Sequence, residues 1–270
     1  PLWSRGLGDV YKRQKVNNPI KLNGENTLTM SNGSVLTLGG QLSGSGAVVK
    51  EGDGKLTLTN GSNSYSGGTL VVGGTLEVTN AASVGSGELV LAGGARFEVN
   101  KTLSLEVPVV VRSGEVYVGG TTDKKEVLTL QKAVKQGVDD VFVKTGVGTL
   151  EIGSAESALR GVTVIKEGTL VSTQPEALKV SREIVVGTST SGRETRLDVS
   201  AMAGGFVVPT TQTVKGRGEV YGKLVLNGAL RPGNSVDEIT VDGSGAVDGT
   251  AATLKMMNGG KLEAEYSLYG

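Results

Sequence analysis

The side chains that could do chemistry are few, and most sit beside glycine. Asp139-Asp140 is the one adjacent aspartate pair. Paired carboxylates on one surface can hold calcium or share acid and base work on a sugar. Placed after Gln136-Gly137, this pair is read as a solvated turn. Asp53 lies in a turn too, between Gly52 and Gly54, where aspartate is favoured for its own backbone hydrogen bonds. Asp242 and Asp248 stand in DGSGAVDG, similar to one unit of a calcium-binding Gly/Asp repeat; a single irregular copy is turn chemistry rather than a site. Gly44-x-Gly46 and Gly216-x-Gly218 lack the helix or Gly-Lys-Ser/Thr that a phosphate cradle needs. Tyr65, Tyr117 and Tyr221 could line a carbohydrate-facing surface, but they occupy no matching positions and are read as isolated exposed tyrosines. Asp123-Lys124-Lys125-Glu126 is a mixed, solvated loop. Lys50 and Lys144 differ from the rest, because they head the same local pattern. Repetition of that kind favours a structural role over a catalytic one.

Composition narrows the chemistry further. The 270 residues contain no Cys and no His. That excludes thiol nucleophiles, Cys-ligated metals, imidazole acid/base work and a Ser-His-Asp triad. No cofactor is expected. With 27 basic and 27 acidic residues the formal charge is zero, and no basic patch suggests nucleic acid. No apolar run is long enough to cross a bilayer as a helix, and no signal peptide opens the sequence.

The elements that must position these residues are short strands. Gly accounts for 43 residues and aromatics for 4%. Aliphatic runs such as Val35-Leu36-Thr37-Leu38, Leu56-Thr57-Leu58 and Leu70-Val71-Val72 are each closed by Gly or Asn, the pattern of strands joined by tight turns. The best helical candidate, Lys124 to Gln136, also alternates and is read as a strand.

One unit recurs. Lys50-x-Gly52-x-Gly54-x-Leu56-x-Leu58 returns as Lys144-x-Gly146-x-Gly148-x-Leu150-x-Ile152, and Gly74-Thr75-Leu76 returns as Gly168-Thr169-Leu170, both at an offset of 94 residues. Units are placed near 42–80 and 136–178, with a related segment near 214–265. Lys50, Gly52, Gly54, Gly74, Lys144, Gly146, Gly148 and Gly168 are the residues of this repeated turn. In a parallel β-solenoid each coil pairs with the coils above and below, like side chains stack into one narrow core, and Gly or Asn takes the φ > 0 corners. About twenty to twenty-five residues per coil would give about ten to twelve coils. The rival all-β reading is a β-sandwich, for which Asn32-Gly33, Asn60-Gly61 and Asn227-Gly228 would serve as hairpin turns. A sandwich has no reason to repeat one unit at a constant offset.

Two resemblances follow. Ser4 to Gln14, SRGLGDVYKRQ, resembles the in-frame translation of a transposase-based sequencing adapter, so 1–14 are read as non-native and 15–270 as a fragment of something longer. The stretch Gly44 to Asn80 resembles the autotransporter-associated β-strand repeat, also called the passenger-associated transport repeat. The resemblance rests on Lys50 to Leu58, on Asn63-Ser64-Tyr65-Ser66-Gly67-Gly68-Thr69 and on Gly74-Thr75-Leu76. The second copy lacks the Asn and Tyr. Gly228-Ala229-Leu230-Arg231-Pro232-Gly233-Asn234-Ser235 is similar to a further element of the family. The resemblance implies a right-handed parallel β-helix from the passenger region of an exported bacterial surface protein, with its membrane anchor elsewhere in the full-length chain. It implies a non-catalytic, structural or adhesive role at the cell surface, with host-surface or matrix components or polysaccharide as partners. The alternative is a carbohydrate-active β-helix enzyme, a polysaccharide lyase or hydrolase. That reading requires a lateral groove holding three or more carboxylates within about 8 Å.

Overall fold

The computed structural model describes residues 13–120, 122–188, 194–232, 240–242, 254–256 and 261–262. Among them every strand pairs in parallel. A parallel pair cannot close through a two-residue hairpin, so the β-sandwich alternative fails and the Asn-Gly dipeptides turn no hairpins. The chain is an all-β parallel β-solenoid.

It has three faces. The first is a continuous twelve-stranded sheet that runs from Arg13–Val16 to Lys261–Leu262. The second begins with Ile20–Leu22 paired to Leu42–Gly44 and resumes as a seven-stranded sheet from Leu103–Leu105 to Thr240–Asp242. The third is a seven-stranded sheet from Glu25–Thr29 to Ala158–Leu159, followed by a three-stranded one from Phe206–Val208 to Leu254–Met256. Lys55 pairs with Thr75 and Thr75 with Arg96, so these coils take about twenty residues, whereas Glu115 pairs with Val141 and Glu183 with Thr213 across longer coils. Two short helices interrupt the pattern: Ala81–Val84 on the second face and Pro175–Lys179 on the third. The stretch Lys124 to Gln136 is not helical. It carries two strands, Val127–Leu130 and Val134–Gln136.

The period-2 alternation of each strand explains the core. On the first face Leu36, Leu56, Leu76, Phe97, Val118, Lys144, Ile165 and Val186 lie directly over one another. From Leu56 onward each is at most 1% exposed. Burying one Leu or Val in this way contributes about 1.5–3 kcal/mol. Like stacks on like, so each coil fills the space the last one left, and bulky aromatics have little place.

The corners depart from expectation in one respect. Glycine does take the left-handed positions, but among the described residues Ser113 is the one other residue with positive φ. None of the described asparagines does so. The corner asparagines use their amides instead: Asn60 Nδ2 donates to the Gly39 carbonyl and Asn80 Nδ2 to the Thr59 carbonyl, each 21 residues back in the neighbouring coil.

Candidate functional site

Lys50 is the last but one residue of a third-face strand, Ala47–Glu51, and the chain enters the first face at Lys55–Leu58. By strand alternation Lys50 faces inward, between Leu28 and Val71 of the neighbouring coils. It is fully buried. Its Nζ donates to the Gly52 carbonyl at 2.5 Å, to the Gly73 carbonyl of the next coil at 3.0 Å, and at 3.4 Å to Glu51. Lys144 ends a first-face strand, Val141–Lys144, and the chain enters the second face at Thr149–Ile152. It faces inward between Val118 and Ile165. Its Nζ donates to the carbonyls of Gly146 (2.5 Å), Gly148 (2.6 Å), Glu167 (3.0 Å) and Thr145 (3.1 Å). Gly73 and Glu167 each follow their lysine by 23 residues. Each ammonium therefore ties its own turn to the turn of the next coil.

Glycine makes room for this clamp. Gly52 and Gly146 have φ of 74° and 77°, and Gly74 and Gly168 have 61° and 64°. A Cβ on Gly74 would come within 2.6 Å of Lys50 Nζ, and closer still to the Gly52 and Gly54 carbonyl oxygens. A Cβ on Gly168 would meet the carbonyl oxygens of Gly146, Val147 and Gly148 in the same way. Gly54 packs its Cα against Met30 and Ser31 of the preceding coil. The eight repeated turn residues thus assemble into two clusters, one per copy.

The two clusters occupy different corners. The first joins the third face to the first, and the second joins the first face to the second. The offset of the repeat is therefore not a whole number of coils. The unit has moved round the prism by one face.

Burial pulls the pKa of both lysines down, because an ammonium loses its hydration there. Lys144 falls to about 8, with Glu167 acting in the opposite sense. Lys50 is also lowered, with Asp53 opposing. Neutral carbonyl dipoles hold both charges, and no carboxylate oxygen is among their hydrogen-bond partners.

Two residues of the same kind escaped the sequence reading. Gln136 stands in the Lys50 column, beyond Val71, Leu91 and Val111. Its Nε2 donates to the Asp140 carbonyl at 2.6 Å and the Val162 carbonyl at 3.0 Å. Gln212 Nε2 donates to the carbonyls of Leu178 and Ser181 at 2.7 and 2.8 Å. The signal was present for Gln136: like Lys50 it stands at or beside the end of a strand, just before a glycine turn.

Other expectations need correction. Tyr65 is not an exposed tyrosine. It is fully buried, and its hydroxyl lies 2.6 Å from Thr69 Oγ1. Its neighbour Asn63 accepts from Leu42 N at 2.8 Å and donates to the Ser83 carbonyl at 2.8 Å. This polar network supplements the backbone bonds from Ser64 N and Ser66 N to the Leu42 and Gly44 carbonyls where the second face is interrupted. Asp140 is not merely solvated, since its carboxylate accepts from Gly114 N and Gly137 N at 2.9 and 3.1 Å. Tyr117 and Tyr221 are partly exposed, and an arginine lies over each ring: Arg96 at 4.0 Å and Arg196 at 4.8 Å. Gly44 and Gly216, with φ of 102° and 128°, press against the Leu22 and Val186 carbonyls of the coil below. The Gly233-Asn234-Ser235 stretch, Asp248 and residues 1–12 lie outside the described residues.

A lateral groove of about 630 Å³ runs beside the second clamp, lined by Lys124, Glu167, Glu194, Thr195, Arg196 and Glu219 among others. Three glutamates in one groove are what the enzyme alternative asks for, but each is engaged. Glu194 pairs with Lys124 at 2.6 Å and Glu219 with Arg196 at 2.7 Å, while Glu167 accepts from Gly146 N at 3.1 Å. Among the described residues no group of three acidic side chains could hold a metal ion, and no helix is long and apolar enough to cross a membrane.

Comparison with known proteins agrees with this geometry. The passenger-associated-transport-repeat pattern matches residues 48–78 and 142–171, the stretches that hold the two lysine clamps. The chain is 36% identical over 143 residues to the BmaC autotransporter adhesin of Brucella suis biovar 1 (strain 1330). That alignment covers 52% of this chain and 4% of the adhesin. No solved structure matches the chain. The chain therefore carries two passenger-associated transport repeats on a parallel β-solenoid, and is a distant homologue of an autotransporter adhesin.

Proposed function

We propose that this chain is a non-catalytic stretch of the passenger region of an exported bacterial surface protein, acting as a stiff stalk and adhesive surface outside the cell. The observation that carries the reading is the continuous twelve-stranded sheet over aliphatic columns, closed at two corners by the clamps of the transport repeat. Its backbone groups pair along the stack, so the molecule resists bending without asking chemistry of any side chain. The likeness to an adhesin supports host-surface or matrix components, or a surface polysaccharide, as partners. Each glutamate of the groove is held by a cation or a backbone N–H, which does not favour the lyase or hydrolase alternative.

The experiment is adhesion of beads coated with the purified chain to host-cell monolayers, matrix proteins and glycan surfaces. Saturable binding above albumin-coated beads, with no cleavage of the glycans, is expected. Catalytic release of sugar fragments would overturn the reading.

A further inference from the structure

We propose that the corners headed by Lys50 and Lys144 are carbonyl-oxygen sites for a monovalent cation, filled in the native chain by the lysine's own ammonium. Around Lys144 Nζ stand four neutral backbone oxygens at 2.5–3.1 Å, from Thr145, Gly146, Gly148 and Glu167. An ammonium has three protons, so the cage offers more oxygens than the donor can bind singly. That is how an ion is surrounded, rather than how one donor meets one acceptor. Around Lys50 Nζ a smaller set stands at another corner: the carbonyl oxygens of Gly52 at 2.5 Å, Gly73 at 3.0 Å and Glu51 at 3.4 Å, one for each proton. Two corners built from different faces thus reach the same solution.

The oxygen set fixes the class of ion. Calcium takes six to eight oxygens at 2.3–2.6 Å, carboxylates usually among them. Neither cage has a carboxylate oxygen on the ammonium, and each has only three or four oxygens, spread from 2.5 Å to 3.1 or 3.4 Å. Carbonyl oxygens alone suit a large monovalent cation whose hydration shell they replace. Ammonium and potassium fit this description, and calcium does not. Gly74 and Gly168 keep the cages closed by laying their Cα atoms over the turn carbonyls.

It follows that removing the tether should leave a vacant cation site. The test is thermal unfolding of Lys144→Ala in ammonium, methylammonium, potassium and tetramethylammonium chlorides at equal ionic strength. Ammonium and potassium should raise the midpoint of Lys144→Ala by about 3 °C or more over tetramethylammonium, saturably. The parent chain and Lys144→Met, whose side chain refills the space, should respond to all four salts alike. Lys50→Ala is measured in parallel. Should Lys144→Ala not fold in buffer, refolding monitored by circular dichroism in ammonium against tetramethylammonium replaces the melt, with recovery confined to ammonium or potassium expected. Equal behaviour of both alanine variants in all four salts, folded or unfolded, would overturn the proposal.

Discussion

The Tyr65 hydroxyl and Thr69 Oγ1 lie 2.6 Å apart, both sealed from solvent, and Thr69 also donates to the Val84 carbonyl. The second repeat keeps half of this arrangement. Ser157 stands at the Asn63 position and does its work, accepting from Val134 N at 3.0 Å as Asn63 accepts from Leu42 N. Leu159 stands at the Tyr65 position. Thr163, the counterpart of Thr69, is fully buried and its Oγ1 has no hydrogen-bond partner. Burying an unsatisfied hydroxyl costs about 1–3 kcal/mol.

Thr163→Val should therefore stabilise the chain by about 1 kcal/mol, whereas Thr69→Val should cost about 1–2 kcal/mol. The same substitution at equivalent sites acts with opposite sign. Urea denaturation of both variants reads the difference, and a destabilised Thr163→Val would mean that its hydroxyl is satisfied after all.

How far the sequence carries these conclusions depends on the residue. Gly and Leu spacing around Lys50 and Lys144 is local, so the corner unit was legible, along with the all-β class and the stacking. Which corner each copy occupies was not, because an alignment matches turn to turn and is blind to face. Tyr65 was misplaced for a related reason. Its hydrogen-bond partner is four residues away, but what buries it comes from the next coil, around Ser83 and Val84. Gln136 stands just before Gly137, a local signal like that of Lys50, but the column it shares with Lys50 shows only once the coils are stacked. The corner asparagines were assigned a backbone conformation, when their partners are carbonyls 21 residues back.

Gly168→Ala tests the close approach over the second clamp. An alanine there must hold a left-handed φ and push into three carbonyl oxygens. A loss of about 3 kcal/mol or more is expected. Gly94, with φ of 84° but nothing within 4 Å of a Cβ, is the control. Gly94→Ala should cost only the conformational strain, about 1 kcal/mol. Similar losses in the two variants, measured by denaturant midpoint, would count against steric packing at the clamp.

Lys144 gives the fold a defined pH dependence. Its pKa is lowered to about 8 in the folded chain, chiefly by burial, from an unfolded value of 10.5. Between those limits the unfolded chain holds the extra proton, so stability rises as pH climbs from about 8 to about 10.5. The contribution is at most about 3 kcal/mol. Melting curves of the parent and Lys144→Met across this window should diverge, with the parent gaining relative to the variant. Parallel curves would show that the carbonyl oxygens hold the lysine's pKa at its ordinary value.

The transport repeat is understood here as a backbone clamp centred on a buried lysine. Chemical denaturation of Lys50→Met and Lys144→Met tests this most directly. Methionine keeps most of the stem but removes the ammonium that links the Gly52 and Gly73 carbonyls at one corner and the Gly146 and Glu167 carbonyls at the other, so each variant should lose about 2–4 kcal/mol while its adhesion at temperatures where it remains folded is unchanged. Variants as stable as the parent, or folded variants that no longer adhere, would contradict the account.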